Sequence, residues 1–158
     1  MSSAHQNLSS YNPSDLPNAA GKRFVVVVAE WNSDITFTLL SGALETLRSH
    51  GVSDQDIYIH YVPGSFELVA GGAMAFKKHQ PDAVICLGCV IQGETRHFDF
   101  ICDAVAHGIT QVSLKYNKPV IFGVLTPNTQ QQALDSAGGK HGNKGDEAAI
   151  TAIKMLGF

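Results

Sequence analysis

Apolar residues in this chain fall into short dense blocks, separated by stretches in which they recur every three or four positions. Residues 23–29 (RFVVVVA) predict a strand. Over residues 34–50, Ile35, Leu39, Ala43, Leu44 and Leu47 keep a period near that of an α-helix, and Gly51 is a natural stop. Residues 56–62 alternate as a second strand, after which Pro63-Gly64-Ser65 opens a helix to about Lys78. Residues 83–91 are almost wholly apolar, which predicts a strand buried on both faces; Phe98, Ile101, Val105 and Ile109 then space out a helix over 98–116. A strand over 119–125 follows. Asn128 with Gln131 reads as an N-cap and its partner, starting a short helix to about Ala137, and a last helix covers 146–156. Strands separated by helices imply βαβ units, hence an α/β fold whose parallel sheet is covered by helices on both faces.

At 158 residues without internal repeats, the chain predicts a single domain over 23–158, preceded by a flexible Ser-, Asn- and Pro-containing arm over 1–22. The arm lacks a basic segment followed by an apolar one, so it does not read as a secretory signal and predicts a cytoplasmic protein. A net charge of -3 and the lack of any basic run argue against nucleic acid, and no apolar stretch reaches the roughly 18 residues of a membrane span.

Three motifs invite specific chemistry, and two of them fail. Cys86-Leu87-Gly88-Cys89 has the spacing of redox and zinc motifs, but residues three apart on a strand point to opposite faces, which predicts reduced cysteines and no metal site. The glycine-rich run 138–145 (GGKHGNKG) has Asn143 where a phosphate loop needs glycine before its lysine. It also follows a helix where such loops follow a strand, so it reads as a tight turn between helices. No G-x-G-x-x-G fingerprint occurs. The third motif is the polar turn after strand 83–91, which delivers Glu94, Thr95, Arg96 and His97 at a strand-to-helix junction. Ligands of open α/β sheets bind at such junctions, free N–H groups at a helix start suit an anion, and a histidine moves protons near neutral pH.

Taken together, AEWN (29–32), VPGSFEL (62–68), LGCVIQGETRHFDFI (87–101), PVIFGVLT (119–126) and GGKHGNKGDEAA (138–149) resemble the 6,7-dimethyl-8-ribityllumazine synthase family of riboflavin biosynthesis, in family order and over nearly all of the chain from residue 23. The resemblance implies a flavodoxin-like three-layer sandwich around a four-stranded parallel sheet, and pentamers with active sites between neighbouring subunits. A short glycine turn like that of shell-forming members implies a closed shell of sixty subunits, and association with riboflavin synthase is a further implication. The implied reaction condenses 5-amino-6-(D-ribitylamino)uracil with 3,4-dihydroxy-2-butanone 4-phosphate, releasing phosphate and water, with no metal or organic cofactor.

Residue by residue, the resemblance implies that Trp31 stacks on the pyrimidine and that Ser65, Phe66 and Glu67, with backbone at Cys89, Val90 and Ile91, hold the ribityl-uracil. Phe122 is the implied aromatic from the adjacent subunit. Glu94 and Thr95 match the turn receiving the phosphate, Lys144 matches a phosphate-side lysine, and His97 matches the catalytic histidine. One position departs from the pattern: Ser136 stands where members usually carry arginine. A hydrogen bond to a charged group contributes roughly 1.5–3 kcal/mol, so the change implies a loss of about tenfold to a hundredfold in phosphate recognition unless Lys140 or Arg96 compensates. Two other readings follow, a catalytically weakened assembly subunit and a flavodoxin-like module that binds a heterocycle.

Overall fold

Four of the apolar blocks pair as one parallel sheet in the computed structural model, which describes residues 16–158. The strands are β1 (Phe24–Ala29), β2 (Ile57–Val62), β3 (Ala83–Cys89) and β4 (Val120–Leu125), in the order β2-β1-β3-β4. In register, Phe24 lies opposite Ile57 on one side and Ala83 on the other, and Val84 lies opposite Val120. All six residues of β1 are fully buried.

Alternation along the inner strands divides the core into two. Phe24, Val26, Val28, Ile85 and Leu87 face the helices α1 (Ser33–Ser49) and α5 (Lys144–Met155). Val25, Val27, Val84 and Cys86 face α2 (Leu68–His79) and α3 (His97–Tyr116). Each apolar side chain so buried contributes about 1.5–3 kcal/mol. This is the expected flavodoxin-like three-layer α/β arrangement.

Several local boundaries differ from the sequence reading. Residues 65–67 form a single 3-10 turn before α2 begins at Leu68, and Asp56 belongs to a 3-10 turn before β2. The strand over 83–91 ends at Cys89, although its pairing continues as Val90 and Gln92 donate backbone N–H bonds to Leu125 and Pro127. The short helix α4 (Gln130–Ser136) is capped one residue later than expected. Thr129, in extended backbone, accepts from the Gln132 N–H at 3.2 Å, while the Gln132 side-chain oxygen accepts from the Asn128 N–H at 2.8 Å. Three consecutive glutamines make either frame fit the pattern, and the extended Thr129 is the frame taken.

The glycine-rich run is a hairpin, not a simple turn between helices: β5 (Ala137–Gly139) pairs antiparallel with β6 (Gly142–Asn143), with Gly138 and Gly142 at positive φ. It leads directly into α5, which starts at Lys144 because Asn143 caps it. The Asn143 Oδ1 accepts from the Gly145 N–H at 2.8 Å, and its Nδ2 donates to the Thr38 carbonyl of α1 at 2.9 Å. Gly145 then lies directly against α1, since a Cβ there would overlap the Leu39 carbonyl oxygen.

Residues 1–15 of the expected arm lie outside the described residues. Its continuation packs on the domain, with Leu16 and Ala19 buried in the α1/α5 core and the Ala19 N–H donating to the His50 carbonyl at 3.0 Å.

Gly145→Ala is expected to destabilise the protein by about 1–3 kcal/mol or more, because a backbone atom, not a flexible side chain, meets the added methyl. Chemical denaturation checks this; an unchanged midpoint would show that α1 and α5 are free to separate.

Candidate functional site

Because the strands are parallel, the loops that follow them gather at one end of the sheet, and β1 and β3 send theirs to opposite faces. A crevice forms at such a switch point. It is a cleft of about 620 Å³ lined by Trp31 and Asn32 after β1, Gly64–Glu67 after β2, Cys89–Ile91, Gly93 and Thr95 after β3, and His97, Phe98 and Ile101 of α3.

Backbone hydrogen bonds hold these loops in place. Glu30 and Trp31 donate to the carbonyls of Val62 and Pro63 at 2.8 and 3.1 Å, tying the first loop to the second. Asn32 adopts the left-handed conformation at the start of α1, and its side-chain amide donates to the Cys89 carbonyl at 3.0 Å, tying the first loop to the third. With its backbone fixed, Trp31 is still 72% exposed and Phe66 55%. Two large aromatic side chains left open beside a cleft are a surface built to be covered.

Ser65 carries the clearest ligand signature. It is buried, yet its Oγ has no hydrogen-bond partner, and leaving a buried hydroxyl unsatisfied costs about 1–3 kcal/mol. Gly88 of β3 passes just beneath, where a Cβ would come within 2.6 Å of that oxygen. The hydroxyl is thus wedged between strand and cleft.

His97 is the first residue of α3, exposed at the cleft wall, with its backbone N–H 3.4 Å from the Thr95 Oγ1. Glu94 is exposed and does not line the cleft, so only Thr95 of the expected pair reaches it with its neighbour Gly93. Arg96 turns along the helix, 3.7 Å from Asp99 and over the Phe100 ring, and lines no part of the cleft.

Cys86 and Cys89 are inert by placement. Cys86 and Cys89 lie in the two opposite cores, and burial pushes each thiol up to about 12, with the Asp34 charge adding to the effect at Cys89. Neither has the low pKa of a reactive thiolate. Among the described residues no three histidine, cysteine or acidic side chains cluster as metal ligands.

Three expected site residues lie elsewhere. Phe122, Ser136 and Lys144 line a second hollow of about 880 Å³ along the free edge of β4, together with Thr126, Gln132, His141 and Glu147. Within one chain the expected site is therefore in two parts. Lys144 Nζ lies 2.6 Å from the carboxylate of Glu147, which is nearly buried. The sequence reading omitted Glu147 and Asn32; the i,i+3 spacing of Lys144 and Glu147 was a usable signal, whereas the reach of Asn32 to Cys89 was not visible in one dimension.

The model of the 6,7-dimethyl-8-ribityllumazine synthase family matches residues 21–158. The chain belongs to that family. It is 62% identical to the 6,7-dimethyl-8-ribityllumazine synthase of Cytophaga hutchinsonii, covering 99% of this chain and 98% of that protein. It is 52% identical to the proteins of the same name from Phocaeicola vulgatus and Parabacteroides distasonis, over 100% of this chain and 94% and 99% of theirs.

Ser65→Ala is expected to leave the unfolding midpoint unchanged or raise it, since the hydroxyl has no partner to lose. The same change should weaken binding of the ribityl-uracil substrate severalfold. Unaltered affinity, measured by calorimetry, would remove Ser65 from the site.

Proposed function

We propose that this chain condenses 5-amino-6-(D-ribitylamino)uracil with 3,4-dihydroxy-2-butanone 4-phosphate to give 6,7-dimethyl-8-ribityllumazine, phosphate and water, as a transferase of riboflavin biosynthesis. One observation carries the residue assignments: Trp31, Ser65, Phe66, Glu67, Cys89, Val90, Ile91, Thr95 and His97, far apart in sequence, line one cleft in a chain of this family. Trp31 stacks on the flat pyrimidine, and the Ser65 hydroxyl, the Glu67 carboxylate and backbone groups near Cys89–Ile91 bond the heterocycle and its polyol. Backbone N–H groups of the Glu94–Thr95 turn receive the phosphate.

Imine formation between amine and ketone, loss of phosphate and closure of the second ring all move protons. His97, standing open at the cleft wall beside the phosphate turn, carries them. Holding the two substrates side by side supplies much of the remaining acceleration. No metal or organic cofactor takes part.

Phe122, Ser136 and Lys144 belong to the site through a neighbouring copy: their hollow on the β4 edge completes the cleft of the next subunit. A ring of five such contacts makes a pentamer, and pentamers close into a shell of sixty subunits. Exposed apolar side chains away from the cleft, among them Phe100, Leu114 and Met155, suit burial between copies. The two substrates and further copies of this chain are its partners in the cytoplasm, and riboflavin synthase associates with the assembly.

His97→Ala is expected to slow lumazine formation about 10- to 100-fold with fold and assembly intact, since truncation of an exposed side chain leaves no core cavity. Unchanged turnover with both substrates saturating would end its catalytic assignment. Light scattering should report a mass near sixty chains; a pentamer in every buffer would refute the shell, and a monomer would refute the shared site.

A further inference from the structure

Asn32 begins α1 in a way that helix formation alone does not call for. It is one of three non-glycine residues with positive φ among the described residues, at φ 59° and ψ 48°. The other two, Gln80 and Asn117, close the C-terminal ends of α2 and α3, where a left-handed residue is ordinary. An N-terminal cap is normally extended and accepts a backbone N–H with its side chain, as Thr129 does for α4 and Asn143 for α5. Asn32 does neither.

Its polar groups are used differently. The Asn32 carbonyl accepts from the Ile35 and Thr36 N–H groups at 2.9 and 3.0 Å, so the helix starts from the main chain alone. The side-chain amide reaches β3 instead and donates to the Cys89 carbonyl at 3.0 Å, 57 residues away in sequence. Backbone strain of this kind collects at ligand sites, and Asn32 lines the cleft.

Asn32 joins two walls of that cleft. Trp31 precedes it directly, with its own N–H 3.1 Å from the Pro63 carbonyl, and its side chain is 72% exposed, so main-chain direction rather than packing aims the ring. Cys89 ends β3 and begins the segment to Ile91 that lines the cleft with Trp31.

We propose that Asn32 is a positioning residue for the ribityl-uracil: its left-handed backbone aims the Trp31 ring, and its hydrogen bond to Cys89 sets the distance between that ring and the backbone of Cys89–Ile91. The proposal rests on reading the cleft as the uracil pocket. A gap held at fixed width favours a flat heterocycle, because no loop has to be ordered when the ring enters. Asn32 acts through Trp31 and Cys89, and recognition of the phosphate-bearing substrate does not pass through it.

The test uses the assembled protein with two readouts, steady-state lumazine formation and the fluorescence of Trp31, the chain's single tryptophan. Asn32→Gly keeps the left-handed backbone and removes the bond to Cys89. Asn32→Asp keeps the size but sets a carboxylate against a carbonyl oxygen. Each should raise KM for the ribitylaminouracil about threefold to tenfold, the effect of losing one hydrogen bond, and lower the anisotropy of Trp31. KM for the butanone phosphate should stay within about twofold.

A lower unfolding midpoint with that KM and the anisotropy unchanged would assign Asn32 to folding alone and overturn the proposal. If Asn32→Gly leaves both readouts unmoved while Trp31→Ala raises KM for the ribitylaminouracil, the proposal fails and the cleft remains the uracil pocket. If Trp31→Ala leaves it unmoved as well, the reading of the cleft fails too. Should neither Asn32 variant fold, time-resolved anisotropy of the unsubstituted protein decides. A ring held still before any substrate is added supports the proposal, and a freely swinging ring overturns it.

Discussion

Burial of β1 on both faces and both edges is the constraint on which the rest depends. A strand with no exposed residue can keep its backbone groups satisfied only by pairing on both sides, here with β2 and β3. Helices must then cover both faces, and parallel pairing puts all four strand ends on one side. The loops after β1, β2 and β3 have nowhere else to go, and their mutual hydrogen bonds through Glu30, Trp31 and Asn32 convert three flexible connections into one cleft wall.

The cleft keeps groups that folding alone would remove. An exposed tryptophan and a buried, unpartnered serine hydroxyl each oppose stability, and both sit in the same 620 Å³. Rigid scaffolds tolerate such local cost where a ligand compensates for it. The paired Lys144 and Glu147 show the opposite treatment on the β4 edge, where a nearly buried charge is matched at 2.6 Å. The expected residues divide between two cavities, and neither surface alone presents both an aromatic platform with His97 and the residues around Ser136.

Much of this was legible in one dimension. Runs such as RFVVVVA and AVICLGCV read as strands and are the two inner strands of the sheet, and Cys86 and Cys89 face opposite cores as strand alternation predicts. The turn ending at His97 was recognisable as a strand-to-helix junction. Less legible were details that several local patterns satisfy equally. Asn128 and Thr129 each precede a glutamine by three, and only the backbone geometry selects Thr129. The glycine run looked like a turn, and its hairpin pairing depends on α1, against which Asn143 and Gly145 are pressed.

The amino-acid sequence by itself determined the alternation of strands and helices, the two-faced burial of the sheet and the family, because hydrophobic period and block order are properties of the chain read in line. Tertiary structure decided which polar groups stand where. It turned Glu94 outward and Thr95 in, bound Lys140 and Lys144 to carboxylates and left the Ser65 hydroxyl without a partner. Each of these depends on distances between side chains from different segments, a few ångströms that decide whether a charge is spent or available and that no linear spacing encodes.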